Sequence, residues 1–378
     1  MKIALVHDYL TQRGGAERVF ELLCHYFPNA DIFTSLYDPK TTIDLSDRAV
    51  QTTALQKIPG AAQHFRLLAP FYYPAFRQLN LQDYDLILSS SSSFAKSVRK
   101  KPGAKHICFC HNVTRFLWDT KNYLNNYSDY KLFYPILEKA LQSLVSVDRK
   151  YAREPDLYIA NSQLVAHRIK KAYRRKARVI HYPINNRKFN FSIAKENFYL
   201  VASRLIGYKR IDATVRAFNA LGWPLRIIGD GPERKYLESI AADNIQFLGY
   251  VSDSQRSELM SKARATVIAA LEDYGLVPIE ANACGTPVIA YGAGGLLETQ
   301  ISGVTGLFFD EQTPESIQTA LVRSREIEWD AIKIRNHAIA HFSEEAFLNQ
   351  IAPLLKEACG REILRDLPSK PLSCVNSP

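Results

Sequence analysis

The sequence predicts an α/β protein in which two doubly wound, Rossmann-like domains face each other across a cleft. Short apolar runs alternate with amphipathic stretches, a pattern typical of βα units and parallel sheets. The chain has 378 residues, about the length of two ordinary domains. An extended segment around residues 181–190 separates one series of apolar runs from the next. We therefore expect two separate cores, with ligands bound between the carboxyl ends of the two sheets.

The N-terminal domain is predicted to span residues 1–183. Its first strand is Lys2–His7, and Gly14-Gly15 interrupts the chain before a helix over about residues 16–26. The next helix is predicted over Asn161–Lys171, with Asn161 or Ser162 as its N-cap. Three more apolar runs in this domain are predicted to be buried strands: Tyr84–Ser89, Lys105–Cys110 and Leu157–Ala160.

The C-terminal domain is predicted to span residues 184–342. Its apolar runs are Phe198–Ala202, Leu225–Ile228, Ile245–Leu248, Ala265–Ala269 and Val288–Ala290. Residues 343–359 are predicted to form a C-terminal helix, and its return to the N-terminal domain is one arrangement open to it. The tail, residues 360–378, contains Pro368, Pro371 and Pro378 and is expected to be loose.

The composition favours a folded protein that works in a reducing compartment. Hydrophobic residues make up 47% and charged residues 23%, which excludes disorder, collagen and coiled coil. The amino terminus resembles a first strand rather than a signal peptide, and no apolar run is long enough to span a membrane. The six cysteines form no CxxC or zinc-finger pattern, so we expect reduced thiols, no metal and a cytoplasmic location.

The densest cluster of candidate site residues lies in the segment Leu271–Ala281. Glu272 in a loop and Glu280 on the following helix are two carboxylates that can accept hydrogen bonds from hydroxyl groups. Gly275 leaves the backbone bare, and the next amides fall at a helix amino end, where phosphate or sugar oxygens bind. Taken alone, the same segment is equally compatible with helix capping by Glu272 and Asp273.

Six motifs in order along the chain resemble those of glycosyltransferase family 4. The segment above contains the two glutamates of that family's E-x7-E motif and continues through Cys284–Ala290 and Gly292–Glu298. The other five motifs are Gly14–Arg18, Cys110–Asp119, Ala160–Ser162, Ser203–Arg210 and Gly229–Glu233. E-x7-E alone is a weak signal, but six motifs in register cover most of the chain.

The resemblance implies the fold called GT-B, a nucleotide-sugar donor as co-substrate, no further cofactor, and metal-independent transfer with retention at the anomeric carbon. It implies that Arg204 and Lys209 take the place of a metal at the donor diphosphate. Their chemistry suits that role, since both cations follow a predicted strand where an open α/β site binds anions. Without the resemblance they are also compatible with two solvated loop cations.

The resemblance also assigns the remaining site residues. Glu280 is expected to bind the ribose, Glu272 to face the donor sugar near the reacting carbon, and His111 to touch the donor hexose. The catalytic set is thus His111, Arg204, Lys209 and Glu272. The remaining donor-binding residues, most of them expected to act through the backbone, are Gly14, Gly15, Gly229, Val251, Tyr274, Gly275, Leu276 and Val277.

Three residues are candidates for contact with phosphate or with the acceptor, namely Arg13, Asn112 and Arg115. Arg13 lies beside the Gly14-Gly15 turn, and it is equally compatible with a solvated loop position. The sequence His111-Asn112-Val113-Thr114 departs from the His-Thr-Pro that many family members carry. Because that loop lies on the acceptor side, the acceptor stays open.

The positive charge is concentrated in the first half of the chain. Residues 1–180 contain 27 Lys and Arg against 15 Asp and Glu. Two basic stretches, 96–105 and 168–178, and the aromatic segment 57–77 suit an anionic membrane surface or a lipid-linked acceptor. A solvated helix face and core aromatics are the alternative explanation. Nucleic acid is not expected.

Together with these observations, the resemblance implies a retaining hexosyltransferase that moves glucose from UDP-glucose to a lipid-linked or surface polysaccharide acceptor. GDP-mannose is the alternative donor, because residues 111–119 also resemble bacterial mannosyltransferases. Peripheral attachment to the inner face of the cell membrane is left open. A dinucleotide oxidoreductase is disfavoured because no G-x-G-x-x-G follows a strand. A non-catalytic relative that binds nucleotide sugars is the remaining alternative.

Overall fold

The computed structural model describes residues 1–120, 134–360 and 363, and two parallel sheets organise it. The first sheet has the order β3-β2-β1-β4-β5-β6-β7 and the second the order β10-β9-β8-β11-β12-β13. The strands of the first sheet are β1 Ile3–His7, β2 Asp31–Thr34, β3 Val50–Thr52, β4 Leu86–Ser91, β5 Lys105–Cys110, β6 Leu157–Ala160 and β7 Ala177–Val179. Those of the second are β8 Tyr199–Ala202, β9 Leu225–Ile228, β10 Ile245–Gly249, β11 Ala265–Ile268, β12 Val288–Tyr291 and β13 Gly306–Phe309.

Helices connect these strands. In the first half they are α1 Gly15–Tyr26, α2 Ala69–Arg77, α3 Arg115–Trp118, α4 Tyr134–Tyr151 and α5 Gln163–Tyr173. In the second half they are α6 Ile211–Leu221, α7 Arg234–Ile240, α8 Asp253–Lys262, α9 Leu276–Ala283, α10 Leu296–Thr299, α11 Pro314–Ser324, α12 Ala331–Phe342 and α13 Glu344–Cys359. None of the helices in the described ranges is long and apolar enough to cross a bilayer.

Each sheet reverses its strand order next to its first strand. In the first sheet β1 lies between β2 and β4, and in the second β8 lies between β9 and β11. The loops that leave neighbouring strands at such a point diverge to opposite faces, which opens a crevice at the carboxyl edge. The fold therefore has one crevice per sheet, formed by the loops after β1 and β4 and by those after β8 and β11.

Serine side chains cap helices α5 and α13. Ser162 Oγ accepts a hydrogen bond from Val165 N at the start of α5, which selects Ser162 over Asn161 as the N-cap. Ser343 caps α13 in the same way. That last helix packs onto the first sheet, where the Phe347 ring lies 6.2 Å from that of Tyr26 and 6.4 Å from that of Phe109.

The structure corrects the interpretation of the basic and aromatic stretches. Lys96, assigned above to a basic surface, is buried and forms a 2.6 Å ion pair with the equally buried Asp148. The segment rich in aromatic residues contributes mainly to the core of the first domain, because Phe65, Tyr72, Tyr73 and Phe76 are buried. Phe71, with 56% of its surface exposed, remains outside.

Sequence periodicity missed the short strands β2, β3, β7 and β13, and it placed β4 two residues too early. Cys24, Cys108, Cys110 and Cys284 are buried free thiols, and Cys359 is partly buried. The predicted loose tail lies outside the described residues except for residues 360 and 363.

Candidate active site

A cleft of about 780 Å³ lies between the carboxyl ends of the two sheets. One wall is formed by the loops after β1, β4, β5 and β6, and the other by the loops after β8, β9, β10 and β11. This volume suits a ligand of the size of a nucleotide sugar. Among the predicted site residues, those that line the cleft are Arg13, Gly14, Gly15, His111, Asn112, Arg115, Arg204, Lys209, Gly229, Val251, Glu272, Tyr274, Gly275, Leu276 and Val277.

Lys209 and Glu272 form an ion pair on the C-terminal wall, with 2.5 Å between Nζ and Oε1. Burial alone would lower the pKa of Lys209, but the Glu272 carboxylate and Tyr208 together outweigh this effect, so that the net shift of the pKa is upward. Lys209 therefore stays charged in a partly buried place. A cation held in this way is suited to stabilise negative charge on a bound anion.

Tyr208 brings a third cation to this wall. Its ring lies 5.1 Å from Lys209 Nζ and 5.4 Å from the guanidinium of Arg115, which belongs to the other domain. Its hydroxyl lies 3.3 Å from Arg204 Nη2. The aromatic face and hydroxyl thus hold Arg115, Arg204 and Lys209 around one side chain without neutralising them. Sequence reasoning missed Tyr208, although it stands between the two predicted cations.

Two glycines on the C-terminal wall are required by its backbone geometry. Gly229 has a φ of +114°, and a Cβ there would lie 1.9 Å from the carbonyl oxygen of Ser203. Gly275 has a φ of +86° and begins helix α9, whose first residues are Leu276 and Val277. Gly275, Leu276 and Val277 all line the cleft, at a helix end of the kind that binds anions or sugar oxygens.

On the N-terminal wall, His111 follows β5 and is only partly exposed. Its Nε2 lies 2.7 Å from Ser90 Oγ, at the end of the neighbouring strand β4. Burial, reinforced by the nearby His7, lowers the pKa of His111 to about 3. His111 is therefore neutral at ordinary pH, and its unengaged ring nitrogen is Nδ1.

Glu280 does not line the main cleft and is the exception among the predicted site residues. It is 2% exposed, and its two carboxylate oxygens each lie 2.5 Å from an arginine, Arg18 of helix α1 and Arg256 of helix α8. Glu280 raises the pKa of Arg18 through this contact. The expected contact with ribose hydroxyls is thus occupied here by two guanidinium groups, one from each domain.

The side chain of Tyr274 also differs from expectation. It is buried, and its hydroxyl donates a 2.6 Å hydrogen bond to the carbonyl of Tyr182 in the N-terminal half. The ring stacks on His181 at a centroid distance of 5.7 Å. Tyr274 therefore holds the two domains together through its side chain, and its backbone is what remains for a ligand.

Asp273, between the two expected donor residues Glu272 and Tyr274, bridges the cleft. Asn112 Nδ2 lies 2.5 Å from its Oδ2, Arg168 pairs with its Oδ1, and Ser162 Oγ donates to its carbonyl at 2.6 Å. All three partners belong to the N-terminal domain. Arg168, part of the basic stretch predicted to suit an anionic surface or, alternatively, a solvated helix face, is thus an interdomain contact.

Glu298 makes a second bridge. Its carboxylate oxygens lie 2.9 and 2.8 Å from the backbone nitrogen of Gln163, the first residue of helix α5 in the other domain. A carboxylate at a helix N-terminus is electrostatically favourable. Neither bridge could be found from sequence alone, because each joins residues more than 100 positions apart in the chain.

The residues described here include no group of three or more His, Cys, Asp or Glu side chains placed to hold a metal ion. Metal-independent transfer stays a prediction.

Fold and site together define a class of protein. Two facing Rossmann-like sheets with cations and a glutamate on one wall and a glycine turn on the other are the arrangement of a GT-B glycosyltransferase. Two family models match the chain: Glycosyltransferase Family 4 over residues 13–188, and Glycosyl transferases group 1 over residues 184–336. The chain belongs to the glycosyltransferases of this family 4 type.

Individual proteins show the same relationship at lower similarity. An uncharacterized glycosyltransferase of Methanocaldococcus jannaschii is 27% identical over 46% of this chain and 51% of its own length. A GDP-mannose-dependent alpha-(1-6)-phosphatidylinositol monomannoside mannosyltransferase of Mycolicibacterium smegmatis is 32% identical over 32% of this chain and 36% of its own. The chain thus matches about half or less of the length of these relatives. Anabaena HepE, solved in complex with UDP-glucose, superposes with a TM-score of 0.69 at 20% identity over 94% of this chain and all of its own, which shows the shared fold.

Proposed function

We propose that the protein is a retaining hexosyltransferase that uses a nucleoside diphosphate sugar and needs no metal ion. The observation that carries this proposal is the Lys209–Glu272 pair on one wall of the cleft, with Gly14-Gly15 on the wall of the other domain. A diphosphate between these walls meets Arg204 and Lys209 on one side and the N-terminus of helix α1 on the other. The hexose then lies toward Glu272 and His111.

In the proposed reaction, the acceptor hydroxyl attacks the anomeric carbon on the face from which the diphosphate leaves. The bond between that carbon and the diphosphate oxygen breaks, and its electron pair stays with the diphosphate. As the new carbon–oxygen bond forms, the acceptor proton passes to a diphosphate oxygen. Arg204 and Lys209 stabilise the charge that develops on the leaving group, and no covalent intermediate on the protein is required.

We favour UDP-glucose as the donor. The shared fold with Anabaena HepE, a protein that binds UDP-glucose, supports this choice. GDP-mannose is the second candidate, because a relative from Mycolicibacterium smegmatis is named as GDP-mannose-dependent. The base is expected to lie near Gly229 and Val251, which line the cleft through the loops after β9 and β10.

The acceptor we propose is a lipid-linked or surface polysaccharide unit presented at an anionic membrane surface. The segment that precedes and begins helix α2 exposes Leu67 by 73% and Phe71 by 56%; Arg66, next to Leu67 in the chain, and Lys57, earlier in the same segment, are also exposed. Exposed apolar side chains next to cations suit the headgroup region of a bilayer. Sedimentation with phosphatidylglycerol vesicles, compared with phosphatidylcholine, tests this, and the L67S/F71S double variant should lose the interaction.

The first test of the donor is a thermal-shift and slow-hydrolysis screen of UDP-glucose, UDP-galactose, UDP-N-acetylglucosamine, GDP-mannose and NAD. We expect UDP-glucose to stabilise the protein and to release free glucose slowly. Glu272→Gln should reduce the release about a hundredfold or more, and Lys262→Ala, on the exposed face of α8, is a control outside the cleft. Stabilisation and hydrolysis with GDP-mannose alone would select the second donor. Stabilisation without hydrolysis or transfer would indicate a non-catalytic sugar-binding protein. No response to any nucleotide sugar would overturn the proposal.

A further inference from the structure

The side chain of Tyr208 lies among three cations that come from both walls of the cleft. The guanidinium of Arg115, from the N-terminal domain, lies 5.4 Å from the centre of its ring. Nζ of Lys209 lies 5.1 Å from the same centre, and Nη2 of Arg204 lies 3.3 Å from the hydroxyl oxygen. All four residues line the cleft. One aromatic side chain therefore helps to position three positive charges at this place.

The hydrogen bond between Tyr208 and Arg204 has only one direction. A guanidinium group donates from its nitrogens and has no acceptor, so the phenolic oxygen of Tyr208 accepts from Arg204. The proton of the hydroxyl group is not used in this contact and is left for another oxygen. Tyr208 therefore offers an anion in the cleft a hydrogen-bond donor directly beside the charge of Arg204.

On the N-terminal wall, Arg115 and Arg168 share a single carboxylate. The side chain of Asp273 is in contact with Arg168 and lies 3.9 Å from the guanidinium of Arg115. One carboxylate balances the charge of one guanidinium, so one positive charge is left over at this edge of the cleft. Arg115 lines the cleft, with 35% of its side chain exposed, whereas Arg168 does not line it. The surplus charge is therefore available to a ligand at Arg115.

A second surplus charge lies on the C-terminal wall. Lys209 is paired with Glu272, but in the ranges that the structure describes Arg204 forms no ion pair with a carboxylate. The charge of Arg204 also acts against the rise in the pKa of Lys209, because the two cations lie close together. The surroundings of Tyr208 thus have an excess of two positive charges, one on each wall of the cleft.

A donor diphosphate supplies the negative charge that balances this excess. Each of the two phosphates of a nucleoside diphosphate sugar carries one negative charge, and more develops as the sugar leaves. Because one ring contacts all three cations, a diphosphate bound by Lys209 and Arg204 also lies near Arg115. Arg115 faces Asp273, which directly follows the residue assigned to the sugar, Glu272. We therefore place Arg115 at the phosphate that carries the sugar.

We infer that Arg115 and Tyr208 complete the site of the leaving diphosphate, with Arg115 reaching it from the opposite domain. The ring of Tyr208 holds the guanidinium of Arg115 in position, and its hydroxyl group donates to a phosphate oxygen. The inference rests on the proposed function, because it adds two residues to the donor site proposed there. It assigns part of the leaving-group stabilisation to the N-terminal domain, so full stabilisation requires that the two domains face each other as they do here.

A second tyrosine–arginine contact of the same length provides a matched control. The hydroxyl oxygen of Tyr236, on helix α7, lies 3.3 Å from Nη2 of Arg216, on helix α6. Neither residue lines the cleft, and both belong to the same domain as Tyr208. Substitutions of Tyr236 and Arg216 therefore remove the same kind of contact from the C-terminal domain without changing the proposed site.

The first measurement is the affinity of the full chain for UDP, UMP, GDP and GMP by isothermal titration calorimetry. Arg115→Ala should weaken binding of the nucleoside diphosphate about tenfold, the effect of one lost charge-assisted contact. Binding of the matching monophosphate, which lacks the phosphate that carries the sugar, should change little. Arg216→Ala should alter neither affinity. Unchanged diphosphate binding by Arg115→Ala, or equal losses for diphosphate and monophosphate, overturns the inference, even where transfer is impaired.

The second measurement separates the two roles of Tyr208. Tyr208→Phe removes the hydroxyl group and should weaken diphosphate binding about threefold to tenfold, whereas Tyr236→Phe should have no effect. Tyr208→Leu removes the ring as well, so a further Arg115→Ala substitution should then cost much less than its tenfold effect in the wild type. In the Tyr208→Phe background, which keeps the ring, the full effect of Arg115→Ala should remain.

The outcomes distinguish the inference from the proposed function. An equal cost of Arg115→Ala in the wild-type, Tyr208→Phe and Tyr208→Leu backgrounds would show that the ring does not position Arg115, and a Tyr208→Phe variant with wild-type affinity would show that the hydroxyl group does not donate to the diphosphate. Either result contradicts the inference while the donor site of Arg204 and Lys209 stands. A wild-type chain that binds neither UDP nor GDP contradicts the proposed function, and the inference with it.

Discussion

Nζ of Lys209 and Oε1 of Glu272 lie 2.5 Å apart, so the two side chains assigned to the diphosphate and to the sugar are paired with each other. The two side chains are only 14% and 21% exposed, and the Glu272 carboxylate raises the pKa of Lys209, so that Lys209 is charged before a donor arrives. A donor that fits between them therefore meets charges that are already oriented, which reduces the reorganisation that the transition state requires.

The first prediction concerns this pair. Glu272→Gln and Lys209→Ala should each reduce transfer by about a hundredfold to a thousandfold, the effect of removing one preorganised electrostatic contact in an active site. Thermal unfolding midpoints should stay close to the wild-type value, since the pair lies at the cleft rather than in either core. Steady-state kinetics measures the loss of transfer, and normal turnover by both variants would refute the site assignment.

The second prediction is that a chelator leaves transfer unchanged. If Arg204 and Lys209 neutralise the leaving diphosphate, then added EDTA should not alter kcat, and added magnesium should not raise it. The measurement is the initial rate of transfer in metal-free buffer. A strict magnesium requirement would contradict the role given to the two cations.

The sequence predicted the parts of the fold that leave a local signal. The apolar runs at β1, β5, β6, β8 and β9 are long enough to bury a strand on both faces, whereas β3 and β7 have three residues each and leave little periodicity. Glycine turns and cations that directly follow a strand are also local signals in the sequence, and they predicted the position of the cleft. The partners of Asp273, Glu298 and Glu280 could not be predicted, because they depend on how the two domains approach each other.

The third prediction addresses that approach. Asp273→Asn removes the charge that Arg168 and Arg115 face across the cleft, so the domains should separate more readily. We expect a larger radius of gyration in small-angle X-ray scattering and a several-fold higher KM for the donor. Glu315→Gln, an acidic residue in the first turn of its own helix α11, is a control that changes charge without bridging domains. An unchanged scattering curve would show that Asp273 does not hold the domains.

The fourth prediction concerns Glu280. Its replacement by Gln leaves Arg18 and Arg256 facing a neutral amide, and loss of one partner from a buried ion pair typically costs a few kcal/mol. Because both arginines are partly exposed, we expect a smaller loss of about 2 kcal/mol in the free energy of unfolding. Urea unfolding measures this loss. Arg18→Ala should also lower the free energy of unfolding. If Glu280 binds the ribose of the donor, the same variant should bind the donor more tightly, because it frees one carboxylate oxygen. Unchanged donor affinity would mean that Glu280 serves the domain contact alone.

The fifth prediction is a loss of stability in mild acid that originates in buried histidine. Burial, with a contribution from Lys100, lowers the pKa of His106 to about 3, against an ordinary value of 6.5. Between these pH values the unfolded chain binds a proton at this residue and the folded chain does not, so the free energy of unfolding falls as the pH decreases from about 6.5. At pH 5 the loss from His106 is roughly 2 kcal/mol, and above pH 7 it vanishes.

His106→Asn separates this titration from simple loss of packing. The variant should be less stable than wild type at pH 7, because Ser89 loses its imidazole partner. Its free energy of unfolding should nevertheless fall less between pH 7 and pH 5, by roughly the same 2 kcal/mol, because no imidazole remains there to be protonated on unfolding. Urea unfolding of the wild type and the variant at pH 7 and pH 5 gives the free energy of unfolding that each protein loses between the two pH values. Parallel curves would mean that His106 is protonated in the folded protein, or that the acid sensitivity comes from other groups.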